Sequence, residues 1–132
     1  MSAVLDTHAA IWYLFDSASL SERAFTFIDA AASSGAPMFL SAISLVEVVY
    51  LSERGRIAPE VLSALTSEVN RERPTFRLVT LDAYVADALR KVPRDVVPDM
   101  PDRIIAATAV HLGLPLITRD RRLQSSGIPT IW

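Results

Sequence analysis

The sequence has no cysteine among its 132 residues. This absence excludes disulfide bonds, thiolate metal sites and a cysteine nucleophile, and it suits a protein of the reducing cytoplasm. Lysine is almost absent too, because Lys91 is the single lysine among 13 basic residues. Arginine suits bidentate contacts with phosphate, although genome composition can produce the same bias.

Long apolar runs are also lacking, since none approaches the ~18 residues of a membrane span. The N-terminus is apolar, but it has no basic segment and is interrupted by Asp6 and His8, which argues against a secretory signal. We therefore expect no membrane partner. The net charge of −2 argues neither for nor against nucleic acid. With 51% hydrophobic and 21% charged residues, the chain 1–132 is expected to fold as one domain with a real core.

Apolar runs typical of strands alternate with segments of helical spacing along the whole chain. Strands are predicted at about 3–5, 37–41, 76–80, 114–118 and 129–132. This alternation predicts an α/β fold, a three-layer α/β/α sandwich around a mostly parallel sheet. The helix at 44–54 is apolar nearly all round and should be well buried.

Four acidic residues stand out by their positions. Asp6 and Asp120 follow predicted strands, Asp102 starts a helix, and Glu47 lies inside the apolar helix. In open α/β sheets, ligands bind at the carboxyl edge, where such residues would meet. Ser41 ends another strand and is a candidate for contact with substrate or water.

Each acid also has a purely structural explanation. Asp6 and Asp120 have the position of helix N-caps. Asp99 and Asp102 have capping-box spacing. Glu47 could form a buried pair with an arginine, since glutamate is almost never fully buried unless paired.

Taken together, these explanations weaken. Several carboxylates at one sheet edge repel each other and raise each other's pKa, and a divalent cation removes this problem. Oxygen ligands favour Mg²⁺ or Mn²⁺ over zinc. Magnesium held by carboxylates commonly serves phosphate chemistry.

The order and spacing of five motifs resemble the PIN-domain ribonucleases, and within them the VapC-like toxins of bacterial toxin–antitoxin pairs. The motifs are Leu5-Asp6-Thr7-His8 with Trp12, Leu40-Ser41-Ala42 leading to Glu47, the segments 99–109 and 116–120, and the closing segment 127–132. The resemblance covers essentially the whole chain. It implies a catalytic, metal-holding quartet of Asp6, Glu47, Asp102 and Asp120, with Thr118 helping to position the site.

One departure concerns Asp99, a further supporting candidate. Relatives with an aspartate at this position usually place proline directly after it. Here Met100 intervenes before Pro101. The helix start and the role of Asp99 therefore need the structure.

The resemblance implies a cytoplasmic endoribonuclease, in which water activated by Mg²⁺ or Mn²⁺ hydrolyses RNA phosphodiesters. It also implies products with 5′-phosphate and 3′-hydroxyl ends, a cognate antitoxin and a toxin homodimer. The alternative is a non-catalytic PIN-fold module that binds protein, and the intact quartet argues against it. A phosphoaspartate enzyme is disfavoured, because His8 stands where the phosphatase version has a second acid.

Two further features have open interpretations. Arg119, Arg121 and Arg122 form the one tight basic cluster, which is either a solvated helix start or a phosphate contact. A second set is either ordinary core or an apolar groove for a partner. Its members are Tyr50, Leu51, Ile57, Val61, Leu62 and Leu65.

Overall fold

Five strands form one parallel sheet in the order β3-β2-β1-β4-β5 in the computed structural model, which describes residues 1–132. The strands are β1 Ala3–Leu5, β2 Met38–Ser41, β3 Phe76–Val79, β4 Leu116–Ile117 and β5 Thr130–Ile131. The helices are α1 Thr7–Leu14, α2 Glu22–Ser34, α3 Ala42–Glu53, α4 Glu60–Val69, α5 Ala83–Ala88, α6 Met100–Leu112 and α7 Arg121–Gln124, with a 3₁₀ turn at Leu89–Lys91. Every neighbouring pair of strands is parallel, which confirms the predicted α/β class.

Helices cover both faces of the sheet because successive side chains of a strand point to opposite faces. Leu5 and Ile117 belong to a core cluster with residues of α1, α2 and α4. Val4 and Leu116 belong to a second cluster with residues of α5, α6 and α7. The predicted three-layer sandwich is therefore confirmed. None of the helices combines the length and the apolar character needed to cross a membrane.

Helix α3 differs from its prediction in both start and burial. It begins at Ala42 because the Ser41 hydroxyl accepts a hydrogen bond from the Ile43 N–H at 3.2 Å and so caps the helix. The expectation of burial all round is wrong, since Val46 and Tyr50 are 48% and 57% exposed. Val48 packs in one core cluster and Ile43 in the other. The helix thus lies at the margin between layers, and its third side faces water.

The suggested apolar groove is mostly ordinary core. Val61 and Leu65 are buried in the cluster beneath α4, and Ile57 and Leu62 pack against it. Tyr50 is the exposed member of the set. The core interpretation therefore holds for α4.

The sheet changes direction at β1, which lies between β2 and β4. The chain adds β2 and β3 on one side of β1 and then returns to add β4 and β5 on the other. Ligands in open α/β sheets bind at such a switch point, outside the carboxyl ends of the strands. Asp6 directly follows β1, and Thr118 directly follows the neighbouring strand β4.

Candidate functional site

An acidic cleft of about 450 Å³ opens at the carboxyl ends of β1 and β4. It is lined by Asp6, His8, Ala9, Trp12, Glu47, Asp99, Asp102, Arg119 and Asp120. The structure therefore brings all four predicted acids together, with Asp99 as a fifth carboxylate. They come from four separate parts of the chain.

Asp6 is the best-anchored acid of the acidic cleft. Its Oδ1 accepts a hydrogen bond from the Thr7 N–H at 2.7 Å, and its Oδ2 accepts one from the Thr118 hydroxyl at 2.7 Å. Leu5 and Ile117 are paired in the sheet, which places Thr118 beside Asp6. The Thr118 hydroxyl also accepts a bond from the Asp120 N–H at 3.0 Å. Thr118 thus has the geometry of the positioning residue that was predicted.

Glu47 is held by a residue that the sequence analysis did not single out. The Thr7 hydroxyl donates to Glu47 Oε1 at 2.6 Å and lies 2.8 Å from the Ser44 hydroxyl. The only salt bridges are Arg71–Glu68 and Arg90–Asp87, so Glu47 is not paired with an arginine. The signal for Thr7 was its place directly after a strand-end aspartate, where its side chain turns inward.

Asp99 caps its helix as the spacing suggested, but the Asp102 carboxylate does not reach back to complete a capping box. Asp99 is the N-cap of α6, and its Oδ2 accepts a bond from the Asp102 N–H at 3.2 Å. The helix therefore starts at Met100, two residues earlier than predicted, with Pro101 in its first turn, where proline is tolerated. The carboxylate of Asp102 is not the capping group and remains in the acidic cleft.

Asp120 is both a cap and a lining residue. Its Oδ1 accepts bonds from the Arg122 N–H at 2.8 Å and the Leu123 N–H at 3.3 Å. The capping interpretation is therefore right for this oxygen. Oδ2 takes no part in these bonds, so capping and ligand binding are compatible.

Ser41 does not join the site. It is 1% exposed, its hydroxyl caps α3, and it does not line the acidic cleft. The expectation that it contacts substrate or water is not supported, because the cap turns its hydroxyl into the backbone. His8 lines the cleft, whereas His111 stacks on Tyr84 with ring centres 6.0 Å apart.

Three carboxylates of the acidic cleft have raised pKa values: Asp102, Asp6 and Glu47. Burial, reinforced by the charges of Asp6, Asp99, Asp120 and Glu47, raises the pKa of Asp102 to about 8. Burial also raises the pKa of Asp6 against the opposing hydrogen bond from Thr118. For Glu47 burial again raises the pKa, and the hydrogen bond from Thr7 opposes it. These raised pKa values indicate that a cation would bind favourably in the cleft.

The donor set fits a hard divalent cation that keeps part of its water shell. No three acidic or histidine side chains stand as a ready ligand set for one ion. Magnesium, however, commonly binds through one or two carboxylates and retains several waters. The remaining acids of the cleft would then act through those waters.

The chain is similar to known proteins over nearly its whole length. The PIN domain family matches residues 3–127 of the chain. Ribonuclease VapC22 of Mycobacterium tuberculosis (strain ATCC 25618 / H37Rv) is 31% identical over 134 residues, which cover 99% of this chain and 98% of that protein.

Solved structures share the fold over nearly the whole chain. The VapBC2 complex of Rickettsia felis bound to a DNA fragment from its promoter contains a chain with a TM-score of 0.71 and 14% identity, covering 98% of this chain and 97% of that one. A toxin–antitoxin complex from Klebsiella pneumoniae gives a TM-score of 0.62 at 25% identity, with 98% and 96% of the two chains covered.

Proposed function

The chain belongs to the PIN domain family, and on this premise we propose that it is a VapC-type endoribonuclease that requires Mg²⁺ or Mn²⁺. The observation that carries the proposal is the convergence of Asp6, Glu47, Asp102 and Asp120 on one cleft that contains no compensating ion pair. Its relative from M. tuberculosis bears the name ribonuclease. The substrate class is therefore RNA, and the bond broken is a phosphodiester.

The four acids would hold the ion, directly or through water. When bound, such an ion polarises a water for attack and neutralises the charge that develops on phosphate oxygens. Thr118 keeps both oxygens of Asp6 in fixed positions together with the Thr7 N–H. The Thr7 hydroxyl fixes one oxygen of Glu47, Oε1. The pKa of Asp102, raised to about 8, favours its protonated form at neutral pH, and a bound cation would favour the carboxylate, with the proton passing to solvent.

The proposal extends to partners and location. As a toxin that cuts cellular RNA, the protein would act in the cytoplasm, as a homodimer, and a cognate antitoxin would hold it inactive. The similar solved structures include VapBC and other toxin–antitoxin complexes, which supports the antitoxin partner. The expected products carry 5′-phosphate and 3′-hydroxyl ends.

Cleavage of RNA by purified protein, freed of any antitoxin, tests the activity. Total bacterial RNA should be cut with Mg²⁺ or Mn²⁺ and left intact with EDTA, and ligation-based sequencing should find 5′-phosphate at the new ends. Equal cleavage with and without the chelator would exclude the metal mechanism.

Expression in a bacterial host tests the toxin role. The wild-type protein alone should arrest growth, and co-expression of an adjacent small gene should restore it. Light scattering should give the mass of two chains. Harmless overexpression of folded protein would instead favour the non-catalytic module that binds protein.

A further inference from the structure

Arg119 is the one arginine or lysine that lines the acidic cleft. It stands between Thr118, which fixes Asp6, and the lining residue Asp120. Its guanidinium carbon lies 5.0 Å from the centre of the Trp12 ring, and Trp12 lines the same cleft. A cation is thus present at the edge of a cluster of five carboxylates.

Arg119 does not form an ion pair with the acids around it. Arg119 forms neither of the salt bridges in the protein. The arginine therefore packs against an aromatic ring and forms no salt bridge with the carboxylates of the cleft.

Stacking explains how the arginine is held and what it leaves free. A tryptophan face attracts a guanidinium through the quadrupole of the ring. This contact uses the face of the planar group, while its N–H donors lie along the edge in a fork that matches phosphate. The free donors and the acids thus share one cleft.

The aromatic ring beneath Arg119 is itself fixed. Trp12 contacts Trp132 with ring centres 5.9 Å apart and His8 at 5.6 Å, and it packs against the core cluster that contains α1. These contacts come from the two ends of the chain and limit the motion of the ring. Because the Trp12 ring is fixed in this way, it would hold the Arg119 guanidinium in place, so that little side-chain entropy is lost when a ligand binds.

Resting on the proposed function, we propose that Arg119 binds a phosphate of the RNA strand beside the acids and that Trp12 is its positioning residue. An acidic cleft repels a polyanion, so a strand that enters it needs a cationic contact besides the metal ion. The arginine provides one. Arg121 and Arg122 belong to the same basic cluster but do not line the acidic cleft, and they serve as matched controls.

Binding of a short fluorescein-labelled single-stranded RNA of mixed sequence, with Ca²⁺ in place of Mg²⁺ to prevent cleavage, tests the proposal directly. Arg119→Ala should weaken binding by about 10- to 100-fold, the range for a lost charge-assisted hydrogen bond to a phosphate. Arg122→Ala should change it by less than about 3-fold, because Arg122 lies outside the acidic cleft and an exposed surface charge contributes little. Arg119→Lys should recover part of the affinity, because lysine binds phosphate as a point charge without the fork.

Salt dependence separates a phosphate contact from a structural role. Loss of one phosphate contact should lower the slope of log K against log salt by about 0.7 for a single strand. Arg119→Ala should show this decrease and Arg122→Ala should not. Trp12→Leu should weaken binding in the same direction but less, and its melting temperature reports any general damage to the fold.

Cleavage kinetics with Mn²⁺ provide the second arm. Arg119→Ala should raise KM by a similar factor and change kcat less. If Arg119→Ala matches Arg122→Ala in affinity, salt slope and KM, the assignment of Arg119 is wrong, while cleavage by both variants leaves the nuclease proposal standing. If the wild type cuts no RNA, the nuclease proposal fails, and the binding arm still decides on Arg119.

Discussion

Glu68 is a buried acid and Asp102 is a partly buried one, and their neighbours shift their pKa values in opposite directions. Glu68 is 6% exposed, and Arg71 Nη1 donates to its Oε2 at 2.9 Å while the Thr75 N–H donates to its Oε1 at 2.8 Å. Burial by itself would raise the pKa of Glu68, but these hydrogen bonds and the charge of Arg71 lower it. Asp102 has other carboxylates for neighbours instead, and its pKa rises to about 8.

The difference shows what distinguishes a structural acid from a candidate functional one. Burial is common to both, so burial alone is not informative. Glu68 forms a salt bridge with Arg71, whereas the acids of the cleft form none. A strongly shifted pKa in a cleft, with a physical cause, is the better indicator of a functional site.

The largest expected effect comes from exchanging the two acids for their amides. Asp102→Asn should slow RNA cleavage by about 100-fold or more, roughly 3 kcal/mol of transition-state stabilisation. Glu68→Gln should leave kcat unchanged in the folded protein and lower the free energy of unfolding by about 1 to 3 kcal/mol, since a buried hydrogen-bonded charge is lost. Single-turnover kinetics measure the cleavage rate, and urea melts measure the free energy of unfolding. A Glu68→Gln protein that folds but does not cleave would show that Glu68 is not a purely structural acid.

Metal binding should stabilise one region and not the other. At a Mg²⁺ concentration of 100 times Kd, the wild type should gain about 2.7 kcal/mol of stability. Glu68→Gln should keep this increment, and Asp102→Asn should lose most of it. Thermal melts with and without Mg²⁺ provide the measurement. An undiminished increment in Asp102→Asn would remove Asp102 from the metal site.

The two acids should also tilt the pH dependence of metal-free stability in opposite directions. The folded-state pKa of Asp102, about 8, lies above its ordinary value of 3.8, so the folded state binds the extra proton and stability falls as pH rises between these values. The pKa of Glu68 is lowered from 4.5, so its contribution is present above that value and is lost as pH falls through the folded pKa.

Urea melts across pH in EDTA test this prediction. Asp102→Asn should flatten the decline toward pH 8, and Glu68→Gln should flatten the decline on the acid side. If the two substitutions flattened the same limb, the electrostatic distinction between the regions would be wrong.

The smallest effect concerns Asp120, which combines the two kinds of role. Asparagine caps a helix about as well as aspartate, whereas alanine loses ~1 kcal/mol. Asp120→Asn should therefore keep its melting temperature and cleave more slowly, although it should lose less than Asp102→Asn because Oδ1 already serves the cap. Asp120→Ala should lose both. Wild-type rates and wild-type stabilisation by Mg²⁺ in Asp120→Asn would assign the residue to capping alone.

Part of the contrast between Glu68 and the acids of the cleft is visible in the sequence. Glu68 has an arginine three residues later, at a spacing that forms ion pairs on a helix, whereas Glu47 is followed by Tyr50 three residues later and Leu51 four residues later. Likewise, Asp6 stands directly after an apolar strand run, and Asp120 stands two residues after Thr118, where another predicted strand ends. Because parallel strands end at one edge of a sheet, these positions predict that the two acids lie close together, whereas the alternation of strands and helices predicts the fold.

Only the tertiary structure decided which polar groups serve that edge. Ser41 and Thr118 each follow a strand, yet the Ser41 hydroxyl turns to its own helix while the Thr118 hydroxyl reaches Asp6 across the β1–β4 pair. The exposed side of α3 and the stacking of Arg119 on Trp12 were not predicted from the sequence. Local spacing determines helices, strands and caps, because those interactions join near neighbours in the chain. Side-chain partners more than 100 residues apart depend on how the layers pack, and the one-dimensional pattern does not contain that packing.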